Sequence, residues 1–337
     1  MAGFTNSATR RIAAQYGAAL TYTEMTNAIG LIHASDKTWQ LLETFSDEGP
    51  VVAHLYGNDP AAFAEAARHV AATDRFCAID LNAGCPVPKI TCGNSGAALM
   101  RDPALIGRIV TAIRNACNLP VTVKTRLGPR PGLVTIFDSL RAVEDAGGAA
   151  LAIHGRYTSQ GHTGPVDFAT LAAVKQRARI PIIGNGGISD LTSARRFLDE
   201  TGVDALMIGQ AAIGHPWVFR HLIEDFAHPE LASQRPRLPL EELRAAIFAH
   251  LDAEVERLAR IASQYPLPSA ALDPENAAVI GFRIHFFRYL SGLKGVAWAR
   301  GQLSQLHTLS AVRDLVDACL ACEATYRARG EAMRRKG

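Results

Sequence analysis

No apolar run in this 337-residue chain approaches the roughly 20 residues needed to cross a bilayer, and the N-terminus lacks the charged-then-apolar pattern of a secretory signal. Both absences point to a cytoplasmic protein. A disulfide framework is missing too. The six cysteines (Cys77, Cys85, Cys92, Cys117, Cys319 and Cys322) are scattered through a large chain, which fits reduced thiols. Cys319 and Cys322 form a CxxC, but within an Ala/Leu/Val helical pattern and without a second pair at metal spacing, so helical packing explains them better than zinc. There is no convincing internal repeat and no low-complexity tract. What is present, 48% hydrophobic and 20% charged residues, is the composition of a folded globular chain with a large core.

The formal net charge of +3 is small but unevenly placed. From Gly281 onward ten basic residues (Arg283, Arg288, Lys294, Arg300, Arg313, Arg327, Arg329, Arg334, Arg335 and Lys336) face four acids (Asp314, Asp317, Glu323 and Glu331), so this stretch carries +6 and the remainder −3. A polyanionic partner for the C-terminal part, nucleic acid first, is the functional reading. A solvated helical face with a basic end is the plain one, and charge alone does not choose.

Up to about Phe226, short β-like runs alternate with longer helical stretches, the pattern of a parallel α/β fold. Strands are expected at Leu20 to Glu24, Val51 to Tyr56, Ala78 to Asn82, Val121 to Thr125, Ala150 to His154, Ile182 to Asn185 and Ala205 to Gly209. That makes seven, one short of a (β/α)8 TIM barrel. Helices are expected at Asn6 to Tyr16, Pro60 to Ala72, Pro103 to Ala116, Val134 to Ala146 and Leu191 to Glu200, the last with Asp190 as N-cap. Before the first helix stands only Met1-Ala2-Gly3-Phe4-Thr5, which reads as the end of a strand and its loop, so the absent first strand is expected upstream of Met1. A Pro- and Arg-rich linker at 228–239 then divides the barrel, 1–227, from an all-helical region, 240–337. There the pattern predicts helices at Leu240 to Ile261, Pro274 to Leu290, and Ala297 to Arg329 with a break near His307.

In a barrel of this kind the active site is built from the loops after the strands. The strand ends here are polar almost without exception: Glu24 with Asn27, His54, Asn82 with Cys85, Lys124 with Arg126, His154 with Arg156, Asn185-Gly186-Gly187, and Gly209-Gln210. Polar groups ending nearly every strand indicate a site. Cys85 lies between Gly84 and Pro86 just past an apolar strand, near Asn82 and the basic Lys89, a placement suited to proton transfer or nucleophilic attack. A loop residue that happens to be Cys is the bland reading. The two Gly-rich turns, expected to lead into helices, aim bare backbone amides at an anion and suggest a phosphorylated cofactor or substrate. Lys124 reads as a cation stabilising a flavin, as a Schiff-base amine, or as half of a structural ion pair.

These residues resemble the tRNA-dihydrouridine synthases. The likeness covers nearly the whole chain: Met1 to Thr5, Thr23-Glu24-Met25, Leu55-Tyr56-Gly57, Asp80 to Lys89 with Gly96-Ala97-Ala98-Leu99, Val121 to Gly128, His154-Gly155-Arg156, Asn185 to Ile188, and Met207 to Gly209 with Gly214-His215-Pro216-Trp217. Its specific part is Asn-x-Gly-Cys-Pro followed by Gly-Ala-Ala-Leu. The resemblance implies an FMN-dependent (β/α)8 barrel with a C-terminal helical domain, reducing the 5,6 double bond of uridine in tRNA with NADPH as reductant. It implies Cys85 as the general acid that protonates carbon 5, with hydride reaching carbon 6 from the flavin. FMN contacts would come from Met1, Ala2, His54, Asn82, Lys124, His154 and Arg156, and its phosphate would lie among Asn185, Gly186, Gly187, Gly209 and Gln210. The tRNA backbone would meet Lys89, Arg283, Arg288, Lys294 and Arg300, while at least one of Phe286, Phe287 and Tyr289 belongs to the core. No metal is implied, and a monomer is expected.

Three positions depart from the family's usual residues: His54 for Gln, Gln210 for Arg, and His215 for Asn. An Arg at 210 would add a charge-assisted phosphate contact of about 1.5 to 3 kcal/mol. Other readings of the same residues are a flavin barrel acting on a free pyrimidine, a Schiff-base aldolase built on Lys124, and a tRNA-binding protein without catalysis. The basic helical region opposes the first, and an idle Cys85 opposes the second.

Overall fold

The computed structural model describes residues 3–33, 35–233, 235–265 and 273–334. Met1 and Ala2, expected at the flavin, lie outside the described residues, as do Arg335 and Lys336. The strands are β1 (Thr21–Tyr22), β2 (Thr26–Asn27), β3 (Val51–Tyr56), β4 (Ala78–Ala83), β5 (Val121–Arg126), β6 (Ala150–His154), β7 (Ile182–Asn185) and β8 (Ala205–Met207). All pair in parallel in the order β1-β3-β4-β5-β6-β7-β8, with β2 also on β3. This is a curled (β/α) barrel sheet, open between β8 and β1 among the described residues.

The expected strand at Leu20 to Glu24 is instead the pair β1 and β2. Tyr22 faces Val52 whereas Thr26 faces Leu55, so this side holds one residue more than β3 over the same stretch. That is a bulge, and it turns Glu24 and Met25 out of the ladder toward the barrel mouth. Thr23 repairs the gap, its hydroxyl accepting the His54 N–H at 2.9 Å.

Alternation along each strand separates two sets of side chains. Ala53, Leu55, Ile79, Leu81, Val121, Val123, Leu151 and Ile153 join one apolar core with residues of the surrounding helices. The opposite parity (His54, Asp80, Asn82, Thr122, Lys124, Arg126, His154, Asn185) faces the barrel interior. Register then sets neighbours: His54 pairs with Asp80, Asn82 with Lys124, Arg126 with His154, and His154 with Asn185.

The helices begin where their caps dictate. Asp59-Pro60, Asp102-Pro103 and Asp273-Pro274 each put a carboxylate on the first amides and a proline in the first turn, where no N–H is missed. Asp190 is the N-cap of helix Leu191–Thr201, as the sequence suggests, and the structure adds a capping box with Ser193.

Beyond the barrel, helices Leu240–Gln264, Pro274–Tyr289, Val296–Leu303 and Leu309–Arg334 enclose a second core, and the expected break near His307 is present. The division at 227 is not clean. Trp217 packs into the helical core, and helix Ser7–Gln15 reaches across through Asn6 to Glu254 (2.9 Å) and Arg11 to Glu256 (2.7 Å). The 228–239 segment is also more than a tether: it contains a short helix, Pro229–Ala232, and Arg235 binds Glu224 and Asp225. Cys319 is buried in the helical core while Cys322 is exposed. No helix among the described residues is long and apolar enough to cross a membrane.

Candidate active site

Asn82, at the end of β4, organises the cysteine loop. Its Oδ1 accepts the N–H of Gly84 at 3.1 Å and of Cys85 at 2.9 Å, an Asx-type turn that lifts the thiol to the mouth. Two glycines let the chain pack closely beside it. A Cβ on Gly84 would lie 3.1 Å from the Thr125 carbonyl carbon, so a side chain there would push the loop a few tenths of an ångström off β5. Gly96, at φ +59°, would place a Cβ 2.8 Å from the Cys85 carbonyl oxygen, which also accepts the Ala97 N–H at 2.9 Å. The Gly-Ala-Ala-Leu segment is therefore the floor under Cys85. The thiol itself is half-exposed.

Asn82 also turns inward, its Nδ2 donating to Met25 Sδ at 2.8 Å and lying 3.1 Å from His54 Nε2. Below them Asp80 accepts the Thr122 hydroxyl at 2.6 Å through Oδ1, while its buried Oδ2 has no hydrogen-bond partner. Burial pushes the Asp80 carboxyl up to about 7 and, with Arg126 nearby, presses the Lys124 ammonium down to about 7. His54 lies 3.7 Å from Asp80 Oδ2, yet burial and Lys124 lower it to about 3, so this is no ion pair at neutral pH. His154 is likewise held near 2 by burial and by Lys124, Arg126, Arg156 and His162, and stays a neutral imidazole.

Asp80 carries a measurable consequence. Its folded value stands above the ordinary carboxyl range, so between about pH 4 and pH 7 the folded chain keeps a proton that the unfolded chain has released, and stability falls as pH rises through that window. Asp80→Asn keeps the Thr122 bond and cannot ionise. Urea midpoints are therefore expected to favour the variant more at about pH 7 than at about pH 4. Equal differences at both would contradict the burial of an ionising Asp80.

Across the mouth a cavity of about 380 Å³ is lined by His154, Arg156, Asn185, the Gly186-Gly187 turn, Gly209 and Gln210, among others. Gly186 and Gly187 have φ of +128° and +73°, and the Arg156 guanidinium stands over them. No hydrogen bond engages the N–H of Gly186, Gly187 or Gly209 among the described residues. Neither turn feeds directly into an α-helix, in contrast to the expectation. Asp190 already caps helix Leu191–Thr201, and Gly209 leads into a three-residue 3-10 turn, Gln210–Ala212. An anion bound here would be met by Arg156 and the loop amides. Gln210 is exposed and adds no charge.

These features fit an FMN phosphate and ring. The cavity is lined by free amides and a guanidinium, His154 Nδ1 is buried without a partner, and Lys124 lies deeper as a latent cation. Among the described residues no cluster of three or more His, Cys, Asp or Glu is grouped as metal ligands would be.

Sequence reasoning underrated Arg126. Its buried guanidinium donates to Gly84 O at 3.0 Å and Gly161 O at 2.7 Å, tying the cysteine loop to the loop after β6. Asp80 and Met25 stand in the sequence only within segments that resemble the family and without a role of their own, although the alternation along β4 could have shown Asp80 to point inward. Glu24 serves as an anchor, accepting the N–H of Gly3 at 2.9 Å and of Thr5 at 2.6 Å. Asn27 caps a short helix through the Gly30 N–H.

The proposed nucleic-acid contacts divide. Arg288 is exposed without an ion-pair or hydrogen-bond partner among the described residues, and Lys89 is exposed on the cysteine loop. Lys294 sits over the Tyr326 ring at 4.5 Å and Arg300 over Phe287 at 5.2 Å, both exposed. Arg283 instead turns inward, donating to Leu306 O at 2.9 Å with its Nε buried, and so braces the helical region. Phe286 and Tyr289 are core, as expected of at least one of the three aromatics. Part of the basic surplus is also spent internally, Arg313 on Asp252 and Arg327 on Glu323.

The dihydrouridine synthase family model matches residues 1–272 of the chain. Its relatives include tRNA-dihydrouridine synthase B of Escherichia coli K12, 37% identical over 251 residues, which spans 74% of this chain and 77% of that protein. The tRNA-dihydrouridine synthase B of Xanthomonas axonopodis pv. citri is 37% identical over 253 residues, 75% of each chain. Among solved structures, histamine dehydrogenase from Rhizobium sp. 4-9 matches with a TM-score of 0.51 at 12% identity, over 73% of this chain and 46% of that one, a likeness of fold.

Proposed function

The chain belongs to the dihydrouridine synthase family, and from that premise we propose that it reduces uridine in tRNA to dihydrouridine with FMN and NADPH, Cys85 supplying the proton. The observation that carries this reading is one barrel mouth holding a half-exposed thiol on a rigid turn and, across from it, an anion cradle of Arg156 and the Gly186-Gly187 turn.

Bound in that cradle, FMN would supply two-electron transfer from NADPH to the pyrimidine. His154, Arg156, Asn185, Gly186, Gly187 and Gly209 would hold it, with Gln210 at the rim. Hydride added to the uracil at carbon 6 would leave the electron pair of the double bond on carbon 5 and its carbonyl, and Cys85 would give its proton to carbon 5, the thiolate then recovering one from water at the open mouth. Lys124, depressed by burial, regains full charge when negative charge develops beside it. Asn82 keeps the cysteine loop in place.

A uridine inside folded tRNA must leave its stack to reach this mouth, which requires a grip on the flanking phosphates. Lys89, Arg288, Lys294 and Arg300 offer it; Arg283 does not, its donors being turned inward.

The test is reconstitution. Unmodified tRNA incubated with the protein, FMN and NADPH is expected to yield dihydrouridine, seen as one added H2 in the digested nucleosides; reduction of free uridine alone would overturn the proposal. In that assay Arg288→Glu is expected to weaken tRNA binding several-fold and lower the salt slope by about 1 to 2, while NADPH still reduces the flavin at its normal rate. An unchanged salt slope would remove Arg288 from the interface.

A further inference from the structure

The surroundings of His54 give it work apart from any flavin contact. It lies on β3 in register with Asp80, with its ring edge-on to Tyr22 at 6.4 Å. Its Nε2 faces Asn82 Nδ2 at 3.1 Å. An amide NH2 can only donate, so Nε2 must be the bare acceptor and the imidazole the Nδ1–H tautomer. A protonated ring would instead set donor against donor.

That contact secures the inner end of the Asn82 amide in the orientation that its two backbone donors demand. With Nδ2 engaged by His54 and Met25, Oδ1 is left for the N–H groups of Gly84 and Cys85. Half a turn of the amide would press its oxygen on the bare imidazole nitrogen and its NH2 on two backbone donors. Both ends would then be unpaired in a buried place.

We infer that His54 is a positioning residue: by accepting from Asn82 it anchors the inner end of the amide and so steadies the Cys85 loop in its working shape. The inference rests on Cys85 as the reacting thiol, but its decisive test does not. Alkylation of the flavin-loaded protein by iodoacetamide, followed cysteine by cysteine by peptide mass spectrometry, reports the Cys85 environment directly. The other five thiols are internal controls, with buried Cys319 reporting an intact fold.

His54→Leu removes the acceptor and is expected to change the Cys85 alkylation rate about tenfold, with dihydrouridine formation falling by a similar factor, the size of one lost hydrogen bond. His54→Gln offers Oε1 in its place and is expected to restore both to within about threefold. Leu and Gln behaving alike, or a Leu variant with an unaltered Cys85 rate, would overturn the inference. Should Leu expose Cys319 and thus unfold, nitrogen-15 imidazole spectra of the unmutated protein decide instead: a bare Nε2 at His54 supports the relay, and an Nε2–H sinks it. If Cys85→Ala retained full turnover while the alkylation pattern held, the relay would stand and the proton-donor reading alone would fall.

Discussion

Cys85→Ala is expected to lower dihydrouridine formation by a factor of about 10² to 10⁴, the contribution of a positioned general acid, while FMN binding and its reduction by NADPH continue. The split follows from how the loop is held. The Cys85 backbone carries the structural bonds, its N–H to Asn82 Oδ1 and its carbonyl to Ala97, and both survive the loss of sulfur. The anion cradle is built from β6, β7 and β8, on other strands. The variant should therefore accumulate reduced flavin in the presence of tRNA. Stopped-flow absorbance, with NADPH first and tRNA second, separates the two halves. Normal reoxidation by tRNA would refute the role given to Cys85, and failure of NADPH reduction would show that the loop shapes the flavin site as well.

The next largest effect is expected at the seam between barrel and helices. Gly214 has φ +70°, and a Cβ there would stand 2.4 Å from the Arg288 carbonyl carbon and 2.5 Å from the Tyr289 nitrogen, both backbone atoms. Helix Pro274–Tyr289 thus rests directly on this glycine, beside Trp217 in the helical core. Gly214→Val combines an unfavourable backbone region with a backbone collision, together about 2 to 5 kcal/mol of stability. Gly132 supplies the control, since at φ +82° a Cβ there meets nothing within 4 Å and Gly132→Val pays only the backbone term. Urea unfolding of the two variants isolates the collision. Because Arg288 moves with the helix, tRNA binding should fall in Gly214→Val and not in Gly132→Val. Equal loss in both would show that the seam bears no load.

The same seam shows what could be read in one dimension. Helix and strand positions followed from local patterns, with Asp190 and the break near His307 among the details that hold in three. The strand-end residues were legible because alternation and turn residues are local signals. The bulge at Glu24 and Met25 was not, since an extra residue shows only when two strands are laid side by side. Arg283 and Arg288 look alike as residues on one helix, yet Leu306 O draws one inward and leaves the other in solvent. The charge of the C-terminal region could be counted beforehand; its division between internal acids and a free surface could not.

The succession of strands and helices, the polar strand ends at His54, Asn82, Lys124 and His154, and a cysteine set between Gly84 and Pro86 are all written in the sequence alone. Each depends on residues within a few positions of one another. Tertiary packing alone brings His54 to Asn82, Arg126 to the cysteine loop, and Gly214 under a helix that meets it at Arg288, seventy-four residues further along the chain. Those contacts come from register and packing between distant segments, and a polar group's partner in a folded core is whichever donor or acceptor that packing brings within about 3 Å.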